Sequence, residues 1–233
     1  MQKFQEILNN FDADLQKVNE IILSYSVGKS ELIQEISSHL INSGGKRIRP
    51  ILLLISAKLC GSENDLNQHY LASAVEMIHS ATLLHDDVVD MSEVRRGKKT
   101  ANALWDNKAS ILVGDYLFSL SFQLMVRSQN LAVLDLLAKT SSIIADGEVL
   151  QLQNSHNLNI SIDKYFEIIF GKTAVLFSAS TEVGAIINNL DTAKILAMKN
   201  FGKNLGMIFQ IIDDILDLAS FDRGEIDLSL GEV

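Results

Sequence analysis

Apolar residues recur at spacings of three and four along almost the whole chain, the period of helices that bury one face. Phe4, Ile7, Leu8, Phe11 and Leu15 define a first amphipathic helix over residues 2–24. Ser30 is the expected N-cap of a second helix ending near Ile41, because its hydroxyl can accept from a first-turn N–H that has no helical partner. Ser43-Gly44-Gly45 interrupts the pattern as a turn. Pro50 then suits the first turn of a helix over 51–60, where a missing N–H costs nothing. The periodicity predicts a long helix over 66–91 and further helices near 107–128, 131–153, 161–189 and 192–219. Their connections are short, which predicts antiparallel neighbours. After Leu218 the chain reads ASFDRGEIDLSLGEV, polar and weakly periodic. The expectation is one all-α domain over 1–218 and a divergent short tail over 219–233 that frays or caps loosely.

Composition sharpens this picture. In 233 residues there is one Pro, and 6% are aromatic, which favours long helices over many short strands. With 47% hydrophobic residues a substantial core forms and wholesale disorder is excluded. The single Cys60 excludes an intramolecular disulfide or a multi-cysteine metal site. A net charge of -9 points to an intracellular, cytoplasmic chain that is not built to coat nucleic acid. No integral membrane segment is expected, because the most apolar stretch, Ala109 to Val126, contains Asp115. The charged, helically periodic N-terminus does not read as a signal peptide.

Two copies of one pattern carry the chemistry. Asp86-Asp87-Val88-Val89-Asp90 and Asp213-Asp214-Ile215-Leu216-Asp217 are both DDxxD inside apolar helical sequence. The first and last Asp of each share a helix face about 6 Å apart along the axis. Clustered carboxylates repel, and hard divalent cations such as Mg²⁺ relieve that while leaving positions for phosphate oxygens. One such motif alone reads as a solvated helix end; two together read as a diphosphate site. Seven of the 20 Lys and Arg fall in Lys46-Arg47-Ile48-Arg49 and Arg95-Arg96-Gly97-Lys98-Lys99. The glycine turn lets Lys46 and Arg49 project from a helix start, where backbone N–H groups also favour anions. Arg offers a planar fork to phosphate and Lys a point charge.

GGKRIRP, LLHDDVVD, RRG, GDYLFS, GEVLQL, GKTAVLF and FQIIDDILD, in this order, resemble the trans-polyprenyl diphosphate synthases, and among them the long-chain, octaprenyl-forming members. The resemblance covers roughly residues 1–218. It implies an isoprenoid-synthase-type helical bundle around a central cavity, with Mg²⁺ as cofactor and isopentenyl and allylic diphosphates as substrates. It also implies a homodimer or a complementing chain. The implied metal ligands are Asp86, Asp87 and Asp90 for the allylic diphosphate, and Asp213, Asp214 and Asp217 for the second cluster. Lys46, Arg49, His79 and Arg96 match the isopentenyl diphosphate site; Arg95, Lys172, Thr173 and Gln210 match contacts to the allylic diphosphate. Of these, Asp86, Asp90, Arg95, Lys172 and Asp213 are the implied catalytic residues.

Ala81 and Thr82 lie one turn deeper than Asp86 on the same face. Both are small, which predicts an open cavity below the carboxylates and a product longer than farnesyl. Glu148 and Gln151 are expected to orient the metal site. His85, Trp105 and Cys60 are expected to pack, Arg47 to be solvated, and His39, His69 and His156 to lie at the surface. The family pattern continues past the second DDxxD with GKPxGxDL and more helices, which residues 219–233 do not match, so the C-terminal helices of the bundle are expected to be missing. The alternative expectation is a truncated, weak or inactive relative that binds diphosphate or needs a partner chain. A third class, a carboxylate-bridged di-metal bundle, finds only Glu76-Met-Ile-His79 of the two Glu-x-x-His motifs it requires.

Overall fold

The three-and-four periodicity becomes helices throughout the computed structural model, which describes residues 9–26, 30–63, 66–155, 157 and 159–222, without the side chains of residues 26, 217 and 220–222. In chain order they are α1 (Asp12–Ser26), α2 (Glu31–Asn42), α3 (Ile48–Leu59), α4 (Leu66–Val89), α5 (Ala101–Leu104), α6 (Asn107–Arg127), α7 (Leu131–Asn154), α8 (Ile162–Ile169), α9 (Val175–Ile187) and α10 (Thr192–Asp222). Ser30 caps α2 as expected, accepting from Ile33 N. Pro50 sits in the first turn of α3. Asp106, Asn130 and Ser161 cap α6, α7 and α8 in the same manner. Phe4, Ile7, Leu8 and His156 lie outside the described residues.

α4 is the central element. Residues 71–78 are buried on every side, packed with Leu53 and Leu54 of α3, Leu120 and Leu124 of α6 and Val175 and Ala179 of α9. Complete burial explains why this helix carries an apolar run instead of a stripe. It also corrects one expectation. His69 is only 1% exposed, and its Nε2 lies 2.8 Å from Asp14 Oδ1, pinning α1 to α4. His39 is half-buried, 2.9 Å from the Lys99 carbonyl and edge-on to Trp105.

Three local features differ from the periodicity. Val94–Arg95 and Lys98–Lys99 form a two-stranded hairpin, β1 and β2. Its two turn residues, Arg96 and Gly97, have φ of 51° and 71°, the mirror-image turn that matches strand twist. The helix expected over 161–189 widens into a π segment, Phe170–Ala174, between α8 and α9. α10 runs unbroken past Leu218 to Asp222, beyond the expected domain boundary. α6 is long and apolar enough to cross a membrane, yet half of that window is buried inside the bundle, and Ser110 and Ser121 on it are fully buried.

Candidate active site

The widening at 170–174 follows from a backbone contact. A Cβ on Gly147 of α7 would lie 2.9 Å from the Gly171 carbonyl carbon and 3.0 Å from Lys172 N. Only two glycines allow that approach, and it delivers Lys172 and Thr173 to the same cavity as Glu148. Lys172 Nζ lies 3.8 Å from Glu148 Oε2.

That cavity has a volume of about 490 Å³. Asp86 and Asp90 from the end of α4 and Asp213 and Asp214 from α10 line it, with Arg49, His79, Arg95, Arg96, Lys172, Thr173 and Gln210. The two acidic motifs, more than 120 residues apart in sequence, thus share one site. Glu148 and Gln151 line it too. A narrower cleft shares Arg49, His79, Arg95 and Arg96 with it and adds Lys46, Arg47, Glu76 and Asp87. Gly45 shapes this cleft: its φ is 136°, and a Cβ there would lie 2.4 Å from Arg96 Nη1. Arg96 itself donates to the Gly44 carbonyl at 2.8 Å.

The electrostatics follow from crowding like charges out of water. Asp86 is pushed up to about 7 from 3.8, first by burial and then by Glu148, while Lys172 and Arg95 oppose the shift and Asp90 adds to it. Glu148 is raised by burial, with Lys172 opposing. Burial lowers Arg49 to about 10, so it stays cationic at neutral pH; it lies 5.0 Å over the Phe177 ring. His79 is held well below the ordinary imidazole range by burial and by Arg49, Arg96, Arg95 and Arg47. Arg49 Nη1 donates to His79 Nε2 at 3.0 Å, which puts the ring proton on Nδ1.

Several residues depart from their expected places. Asp87 does not face the carboxylate cavity. It is 2% exposed and accepts from Arg95 Nε at 2.9 Å, because it lies about 100° around α4 from Asp86. The Asp217 side chain lies outside the described residues. Arg47 is not solvated: it pairs with buried Glu76 and donates to the Ile41 carbonyl at 3.1 Å. Glu76 and His79 therefore serve Arg47 and Arg49 and form no di-metal motif. Glu76→Ala leaves the Arg47 side chain, 12% exposed, without its carboxylate, and is expected to cost about 3 kcal/mol, read from the urea midpoint. Tyr165, not anticipated from the sequence, donates to Asp214 Oδ2 at 2.5 Å. His85 packs as expected, with Nε2 3.2 Å from the Ile111 carbonyl and 3.3 Å from Asp115 Oδ1.

Among the described residues no three His, Cys, Asp or Glu side chains already converge to hold an ion. The donor chemistry nevertheless fits a hard divalent cation. All four cavity aspartates offer carboxylate oxygen, and Asp86, raised first by burial and then by Glu148, is a carboxylate whose charge a cation would stabilise.

An apolar cavity of about 410 Å³ adjoins the first, sharing Thr82, Asp86 and Glu148. Ile78, Ala81, Phe118 and Ile144 wall it. Ala81 and Thr82 lie where the helical spacing placed them, beneath the first acidic motif.

Comparison with known proteins agrees with this geometry. The polyprenyl synthetase family profile matches residues 30–225. The octaprenyl diphosphate synthase of Escherichia coli (strain K12) is 41% identical over 229 residues, 97% of this chain and 70% of that protein. A decaprenyl diphosphate synthase crystal structure from Rhodobacter capsulatus superposes with a TM-score of 0.88 at 49% identity, over 92% of this chain and 66% of that one. A polyprenyl synthase structure from Caulobacter crescentus CB15, complexed with calcium and isoprenyl diphosphate, gives 0.90 at 44% identity, over 98% and 68%. The chain thus spans about two thirds of the length of the relatives it matches. Its helices have the isoprenoid-synthase arrangement, and the chain belongs to the polyprenyl synthetase family.

Proposed function

We propose that this protein is a trans-prenyltransferase that elongates an allylic diphosphate, such as farnesyl diphosphate, with isopentenyl diphosphate to a long-chain polyprenyl diphosphate. The observation that carries the reading is the convergence of both acidic motifs and the basic residues on one cavity that opens onto an apolar one. The catalytic bundle includes α10 through Asp222, past the boundary expected at residue 218.

Asp86, Asp90, Asp213 and Asp214 are the groups that would hold Mg²⁺. When bound, the cation supplies charge neutralisation that makes diphosphate a leaving group. Lys172 and Arg95 flank the same carboxylates and stabilise charge on the departing diphosphate, so the allylic C–O bond can ionise. Lys46, Arg49 and Arg96 grip the second diphosphate from the adjoining cleft. His79 stays neutral there and presents its Nδ1 proton as a donor. No protein nucleophile is required: the isopentenyl double bond attacks the allylic cation, and the diphosphate can take the proton that is then lost. Thr82 lines both the carboxylate cavity and the apolar one, and the apolar walls beyond it shield the cation from water.

The protein works in the cytoplasm, as a homodimer or with a complementing chain; exposed Ile111, Leu112 and Val126 on α6 support such an interface. Incubation with Mg²⁺, farnesyl diphosphate and labelled isopentenyl diphosphate, followed by product sizing, tests the activity. Chain extension is the expected result; binding of diphosphate without extension would overturn it. Ala81→Phe adds an aromatic ring to the wall of the apolar cavity and is expected to shift the product by at least one isoprene unit shorter, read by chromatography. An unchanged length distribution would refute the channel assignment.

A further inference from the structure

We infer that Tyr165 is a positioning residue for the second acidic motif, acting through Asp214. The inference rests on the metal reading above.

Tyr165 lies on α8 and lines the carboxylate cavity. Its hydroxyl donates to Asp214 Oδ2 at 2.5 Å. The other oxygen, Oδ1, accepts from Gln210 Nε2 at 2.9 Å, one turn earlier on α10. Gln210 Oε1 in turn accepts from Thr173 Oγ1 at 2.5 Å. Asp214 is therefore gripped on both oxygens. The bond from Gln210 comes from its own helix and sets the carboxylate only relative to α10. The Thr173–Gln210 bond and the Tyr165 bond tie that helix to the segment 165–173, which also carries Lys172. Among the described residues, Tyr165 alone is bonded to the carboxylate itself from outside α10. Each carboxylate oxygen keeps a second lone pair, so both restraints leave Asp214 able to bind a cation. Groups that orient metal ligands in this way are worth 10- to 100-fold in metal affinity.

The test is Mn²⁺ binding followed by electron paramagnetic resonance, in the presence of inorganic diphosphate, on wild type, Tyr165→Phe, Asp214→Asn and the double variant. Tyr165→Phe is expected to weaken Mn²⁺ about tenfold with an unchanged melting temperature in the absence of metal. In the Asp214→Asn background the same change is expected to add nothing, because the hydroxyl acts through that carboxylate. Wild-type affinity in Tyr165→Phe, or a full additive loss in the double variant, would overturn the positioning role. Failure of wild type itself to bind Mn²⁺ would overturn the metal reading beneath it.

Discussion

Asp86→Asn is expected to lower the elongation rate by on the order of 10³-fold while leaving the fold intact. The substitution keeps the shape of the side chain and removes only its charge. In the absence of cation that charge is unfavourable: Asp86 is raised to about 7 by burial and by Glu148. An acid whose pKa rises on folding contributes stability that is present below its unfolded value and is lost as pH climbs through the folded one. Above pH 7 the wild type therefore carries a penalty that the amide lacks. The metal-free variant should melt no lower than wild type at pH 8. Wild type is expected to gain melting temperature from Mg²⁺ with diphosphate; the variant should not. Activity within tenfold of wild type would remove Asp86 from the site.

Gly147→Val is expected to destabilise the chain by about 3 kcal/mol and to depress activity with it. Helix propensity acts the other way, since replacing Gly in a helix interior with a better former contributes up to about 1 kcal/mol. The close approach decides the sign. A Cβ at 147 would meet backbone atoms of Gly171 and Lys172 at 2.9–3.0 Å, and backbone cannot swing aside as a flexible side chain can. α7 and the π segment must separate, which also moves Glu148 from Lys172. A urea midpoint unchanged from wild type would show that the contact yields freely.

Most helices and both acidic motifs were legible because they are local. A helix face repeats every three or four residues, so Asp86 and Asp90 declare their common side without reference to the rest of the chain. The basic turn at Gly44-Gly45 and the cap at Ser30 were legible for the same reason. Arg47 and Arg49 show where that legibility stops. Both sit in one basic run two residues apart and both line the narrower cleft, and only contact with Glu76 and His79 on α4 distinguishes the cation paired with a carboxylate from the one bonded to an imidazole. Asp87 is a similar case: adjacency to Asp86 grouped the two, whereas the helical rotation turns it to Arg95. His69 shows that polarity is not exposure: its ring is buried because α1 brings Asp14 against it.

An all-helical chain, two carboxylate motifs with a helical period and two basic clusters follow from local sequence, since each depends on residues within a few positions of one another. That α4 and α10 face across one cavity, that Gly147 and Gly171 touch, and that Tyr165 reaches Asp214 follows from the packing of the helices. Those arrangements bring together residues 24 to 127 positions apart, and no local period encodes which faces meet.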